Sequence, residues 1–202
     1  MPTTASLVLL FCFVSGCKWQ DDIISAIQGS KGKRSVQFIV MTPVKFIEGK
    51  SSKLEAVAFD DARARQVRNA VMEGVKSAGQ QYTPVYYDSD KRHYDFYNGI
   101  ARDCSISDSG EKSKAIKKFC AEWIRMTTAV QGFSKCEAII FGICTAKGEN
   151  ALAEPYTLYL YDIMLDSFVV VARPIPFADV FKFKECLGEA ARDLVQKAYK
   201  GS

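Results

Sequence analysis

The chain has 202 residues, 48% of them hydrophobic, and 27 Lys and Arg against 23 Asp and Glu leave a net charge of +4. That length and composition suit one domain with a real core, and the charge is too mild to argue for nucleic acid. No apolar run reaches the roughly 18 residues that a bilayer-spanning helix needs.

The chain begins with a short apolar run, Leu7 to Val14, followed by Val14-Ser15-Gly16-Cys17. The run is too short to span a bilayer and fits the apolar centre of a secretory signal, although Met1 to Ser6 carries no Lys or Arg where such a segment is normally basic. Small residues let a chain enter a peptidase site in extended form, and the cysteine after them offers a thiol for lipid attachment. The alternatives are a plain secretory signal and an ordinary buried segment that happens to hold Ser-Gly-Cys. The domain reading is residues 1–16 as signal peptide, 17–35 as a flexible tether and 36–200 as a globular α/β domain. The tether contains Gly29-Ser30-Lys31-Gly32-Lys33-Arg34, read as a solvated linker or as a contact for anionic headgroups.

Val36 to Met41 predicts a first strand that stops before Pro43, and Val44 to Phe59 reads as a connection with its tip at Gly49 to Lys53. Ala64, Val67, Ala70, Val71, Val75 and Ala78 recur at helical spacing between an Asp60 cap and Gly79. Tyr82 to Asp88 predicts a second strand, which Pro84 places at a sheet edge. Ser89 to Ser109 looks polar and loop-like, with a short helix around Tyr94 to Ala101. Ser109 to Gln131 is a long amphipathic helix with Ile116, Phe119, Cys120 and Trp123 inside; its run of lysines reads as a solvated face or, alternatively, a contact for phosphates. Three strands follow, Ala138 to Thr145, Tyr156 to Ile163 and Phe168 to Ala172, the last two as a hairpin, and Ala178 to Lys200 closes the chain as a helix. The expected order is β-α-β-α-β-β-β-α, a single mixed sheet of about five strands with packed helices. The second strand lies at one edge and the hairpin at the other.

Chemistry is sparse. The one histidine, His93, lies beside Lys91 and Arg92 with no nucleophile or base in view, and reads as a surface residue. No glycine-rich phosphate loop and no Cys-x-x-Cys metal spacing occurs, so no catalytic residue, cofactor or metal is expected. Of the seven cysteines, Cys12 lies in the signal-like run and Cys17 ends the small-residue tetrapeptide; Cys104 and Cys136, outside regular elements, are the disulfide candidates. Six rings crowd between Tyr82 and Tyr97. They could pack under the loop, or form a docking surface with Tyr87, Arg92, Tyr94 and Tyr97 exposed beside a strand edge whose backbone groups are free.

The Val14 to Cys17 tetrapeptide resembles the lipobox of bacterial lipoproteins, which implies lipidation of Cys17. Lys18 in place of Asp favours the outer membrane. Later motifs are Arg65 to Val71, Pro84-Val85-Tyr86-Tyr87-Asp88, Cys136-Glu137-Ala138-Ile139-Ile140-Phe141-Gly142 and the hairpin Leu158 to Asp162 with Val169 to Val171. In their order they resemble a group of envelope lipoproteins: the outer-membrane lipoprotein activators of peptidoglycan synthases, the curli-secretion lipoproteins and the N-terminal domain of TolB. Glu137 stands where that pattern has Asp, and the hairpin turn lacks its usual Gly. The resemblance implies a non-enzymatic envelope protein that binds a protein partner at the periplasmic side of the outer membrane, with no nucleic acid and no small-molecule substrate. The alternative is a small periplasmic ligand-binding protein or enzyme, which a concave polar pocket would favour.

Overall fold

A mixed sheet with helices on both faces makes this an α/β fold, as the element pattern implies. The computed structural model describes residues 35–48, 54–57, 61–79, 81–87, 90–104, 108–131, 136–145, 153–176 and 180–199. The signal-like segment, Cys17 and the basic tether lie outside them. Seven strands are described: β1 (Val36–Val40), β2 (Val44–Glu48), β3 (Leu54–Val57), β4 (Tyr82–Tyr86), β5 (Cys136–Thr145), β6 (Ala153–Asp162) and β7 (Ser167–Pro176). The helices are α1 (Asp61–Ser77), α2 (Asp90–Cys104), α3 (Ser109–Gln131) and α4 (Val180–Tyr199).

β5 is the spine. Along one side it pairs antiparallel with β6 from Ala138 to Cys144. Its other side is shared: β1 lies parallel to the first half, up to Ile140, and β2 parallel to the second half, from Ile143. β4 flanks β1 in parallel, β3 flanks β2 antiparallel, and β7 flanks β6 antiparallel. The second expected strand and the hairpin therefore do hold opposite edges. The expected connection from Val44 to Phe59 is instead a hairpin, β2–β3, and Pro43 interrupts the edge between two strands laid end to end.

Alternation along β5 sends Ala138, Ile140 and Cys144 to one face and Ile139, Phe141 and Ile143 to the other, all buried. The first face packs on Val67, Val71 and Val75 of α1 and on Phe183, Leu187, Leu194 and Val195 of α4. The second packs on Phe96, Tyr97 and Ile100 of α2 and on Ile116, Cys120, Trp123 and Ile124 of α3. The result is three layers, one helix pair on each side of the sheet.

Each pair is brought close by glycine. A Cβ on Gly74 of α1 would lie 2.2 Å from the Gly188 carbonyl oxygen of α4 and 2.8 Å from the Ala191 Cβ. A Cβ on Gly99 of α2 would meet the Phe119 ring of α3 at 2.2 Å. The β6–β7 turn is held by Asp162, whose buried Oδ1 accepts from the Met164 and Leu165 amides at 2.8 and 3.0 Å. Its Oδ2 accepts from Tyr199 Oη at 2.5 Å, tying the turn to the end of α4. Asp166 takes the left-handed backbone position at φ 45°, where the resemblance leads one to look for Gly.

Candidate functional site

The four residues expected to form an exposed partner surface separate. Arg92 is exposed and Tyr94 half-buried on the outer side of α2. Tyr87 and Tyr97, 1% and 0% exposed, belong to the core. α2 runs through Asp90–Cys104 rather than Tyr94 to Ala101; its helical spacing puts Phe96, Tyr97, Ile100 and Ala101 on one buried stripe and Arg92, Asp95, Asn98 and Arg102 on the other face, while Tyr87, which follows β4, packs against Trp123.

Tyr97 has a specific task. Between the end of β1 and the start of β2, β5 loses its strand partner beside Gly142. The Tyr97 hydroxyl fills that place, accepting from the Gly142 N–H at 3.3 Å and donating to the Thr42 carbonyl at 3.0 Å. Burial pushes its pKa well above the usual phenol value, with the Gly142 N–H pulling the other way. Tyr87 sits edge-on to Trp123, with ring centroids 6.2 Å apart, and its amide donates to the Val40 carbonyl at 3.3 Å. His93 packs edge-on against Tyr97 at 5.0 Å and Tyr94 at 5.9 Å.

The β4 edge is less available than the sequence suggests. Val36 N–H reaches the Gln81 carbonyl at 2.8 Å and Tyr87 N–H the Val40 carbonyl at 3.3 Å. By alternation Thr83 and Val85 also face β1, and Tyr82, Pro84 and Tyr86 face outward. The Tyr82 amide is already bound to the Gly79 carbonyl at 3.2 Å, and Pro84 has no N–H. Only Tyr86 keeps a donor for an added strand, so β4 is a blunted edge.

Beside the α1–α4 crossing lies an open groove of about 620 Å³, lined in part by Gly74 and Gly188. Glu73, Glu185 and Glu189 line it together with Lys184 and Arg192. Its walls carry both charges, and Glu73 is also paired with Lys76 at 3.0 Å.

Cys136 opens β5 as a buried free thiol, so the bridge expected between Cys104 and Cys136 is not formed; the Cys104 side chain lies outside the described residues. Once β5 begins at Cys136, the residue becomes part of the core rather than of a loop. Burial pushes its pKa up to about 11, which keeps it neutral and a poor nucleophile. Among the described residues no group of three or more His, Cys, Asp or Glu is placed to hold a metal, and no helix is long and apolar enough to cross a membrane.

No family model matches the chain and no curated protein matches it. Among solved structures it is similar to PelC of Paraburkholderia phytofirmans, solved as a dodecamer. A point variant of PelC shares 9% identity at a TM-score of 0.39, covering 84% of this chain and 91% of that one. A second PelC structure shares 9% identity at a TM-score of 0.36, covering 82% and 84%. Likeness at this level carries no functional argument.

Proposed function

We propose that this is a non-enzymatic, lipid-anchored accessory protein of the bacterial envelope, held at the periplasmic face of the outer membrane and acting by binding a protein partner. The observation that carries the reading is Val14-Ser15-Gly16-Cys17 behind the apolar run Leu7 to Val14. Thioether-linked diacylglycerol on Cys17 together with an N-acyl chain gives more than one buried chain, which stable anchoring requires. Lys18 to Ser35 then acts as the spacer between membrane and domain. Support for a binding role comes from the outer face of α2, where Arg92 and Tyr94 offer a forked cation and a rigid amphipathic ring.

The experiment is metabolic labelling with palmitate and fractionation of cells making the wild type or Cys17→Ser. The wild type should carry label and sediment with membranes; Cys17→Ser should lose the label and become soluble or stay unprocessed. An unlabelled wild type, or a substituted chain still in the membrane pellet, overturns the reading. The mixed-charge groove between α1 and α4 favours a second reading, a periplasmic binder of small polar molecules.

A further inference from the structure

Among the described residues the sheet ends in β3 and β4 on one side and in β7 on the other. β4 is blunted by Pro84. Among the described residues β7 pairs with β6 alone; it carries Val169-Val170-Val171-Ala172, with Val170 44% exposed. Long apolar edges of this kind are templates for another strand unless something blocks them.

The register shows which groups are open. Pro155 lies opposite Pro174, and neither has an N–H, so this is a site where antiparallel neighbours do not bond to each other. Bonded and unbonded sites alternate. Tyr156–Arg173, Leu158–Val171 and Leu160–Val169 are therefore the bonded pairs, and Phe168, Val170 and Ala172 turn their backbone groups away from β6. Two contacts on the other side of β6 agree. Gly142, opposite Leu158, points its N–H away from β6 to Tyr97 Oη at 3.3 Å, and the Ile163 N–H meets the Glu137 carbonyl at 2.9 Å. Further along the edge Pro174 and Pro176 have no donor. The open stretch is thus bounded by the turn residue Asp166 on one side and Pro174 on the other, with Val170 midway between them.

We propose that β7 pairs antiparallel with β7 of a second copy of this chain, about a two-fold axis at Val170. Every open donor then finds an acceptor. The Val170 N–H meets the carbonyl of the partner's Val170, and Phe168 and the partner's Ala172 exchange both bonds. The large Phe168 ring lies beside a small methyl, and on the opposite face Val169 lies across from the partner's Val171, a β-branched pair that suits a sheet. Pro174 falls opposite the partner's Asp166, where the strand has already turned, so the missing donor costs nothing. The one charged side chain in the window, Arg173, is bound to Asp193 and lies 3.8 Å from Glu189, both on α4, so no like charges are opposed. A short strand contact lies at the low end of interface sizes, below about 1,200 Å², and gives a concentration-dependent dimer.

The test uses the full chain in detergent. Val170→Cys places two thiols at a bonded antiparallel pair, where Cα atoms about 5.5 Å apart lie within disulfide range. Mild oxidation should give a disulfide-linked homodimer, whereas Thr83→Cys on the blunted β4 edge should stay monomeric; the wild type sets the background from the native thiols. Val170→Pro removes the central donor without touching the β6 ladder. It should remain monomeric at concentrations where the wild-type mass doubles in sedimentation, with an unchanged melting temperature. A wild type that stays monomeric throughout, a Val170→Cys chain that fails to cross-link or links only to a different protein, or a Val170→Pro chain that dimerises like the wild type each overturns the proposal.

Discussion

Tyr97 joins a helix to the sheet through one oxygen. Its hydroxyl serves the Gly142 N–H and the Thr42 carbonyl, both deprived of a strand partner by the break at Pro43. Tyr97→Phe keeps the ring and strips both contacts, leaving two buried backbone groups unsatisfied. The expected loss is about 1–3 kcal/mol, read as a lower urea midpoint at unchanged slope. The sequence shows six aromatic rings among polar residues. It does not show which ring is inside, because a tyrosine looks the same whether its hydroxyl meets water or a broken ladder. The helical spacing of Phe96, Tyr97 and Ile100 inside the expected helix was legible, however, and points Tyr97 to the core.

The α1–α4 crossing depends on two glycines. Gly74→Ala should raise intrinsic helix propensity by about 1 kcal/mol. It would also drive a methyl to within 2.2 Å of the Gly188 carbonyl oxygen, which belongs to backbone and cannot swing aside. Overpacking of that kind typically costs about 1–3 kcal/mol, so the net effect should be a lower melting temperature. Most elements were legible from periodicity: β5 as a continuous apolar run, α1, α3 and α4 as amphipathic stripes, and the β6–β7 hairpin. The β2–β3 hairpin was missed because Pro43 reads as the end of a strand. Nothing local says that β5 is long enough to take two short strands in tandem. The blunted state of β4 was half legible: Pro84 marks an edge, but which way its nitrogen faces depends on the register with β1.

For the whole molecule, the proposed function is capture of a protein partner. Arg92 and Tyr94 lie on the outer side of α2, away from the Tyr97 contact, so replacing both with Ala should leave the melting temperature nearly unchanged while weakening capture of an envelope partner from cross-linked cells. Wild-type capture by the folded double variant would move the docking surface elsewhere. The proposed envelope address rests on residues 14–17, a local motif read directly from the sequence. The partner's identity depends on surface shape, which periodicity does not encode. The Tyr97 bridge also bears on how the domain breathes. Were β5 flanked by one unbroken strand, the Gly142 amide would be shielded by the sheet itself. Instead its shield is carried by α2, so any excursion that lifts α2 admits solvent to the middle of the central strand. Deuterium uptake at Gly142 would then follow the stability of the helix, while that at Met41, whose amide donates to the Ile140 carbonyl at 2.8 Å, follows that of the sheet.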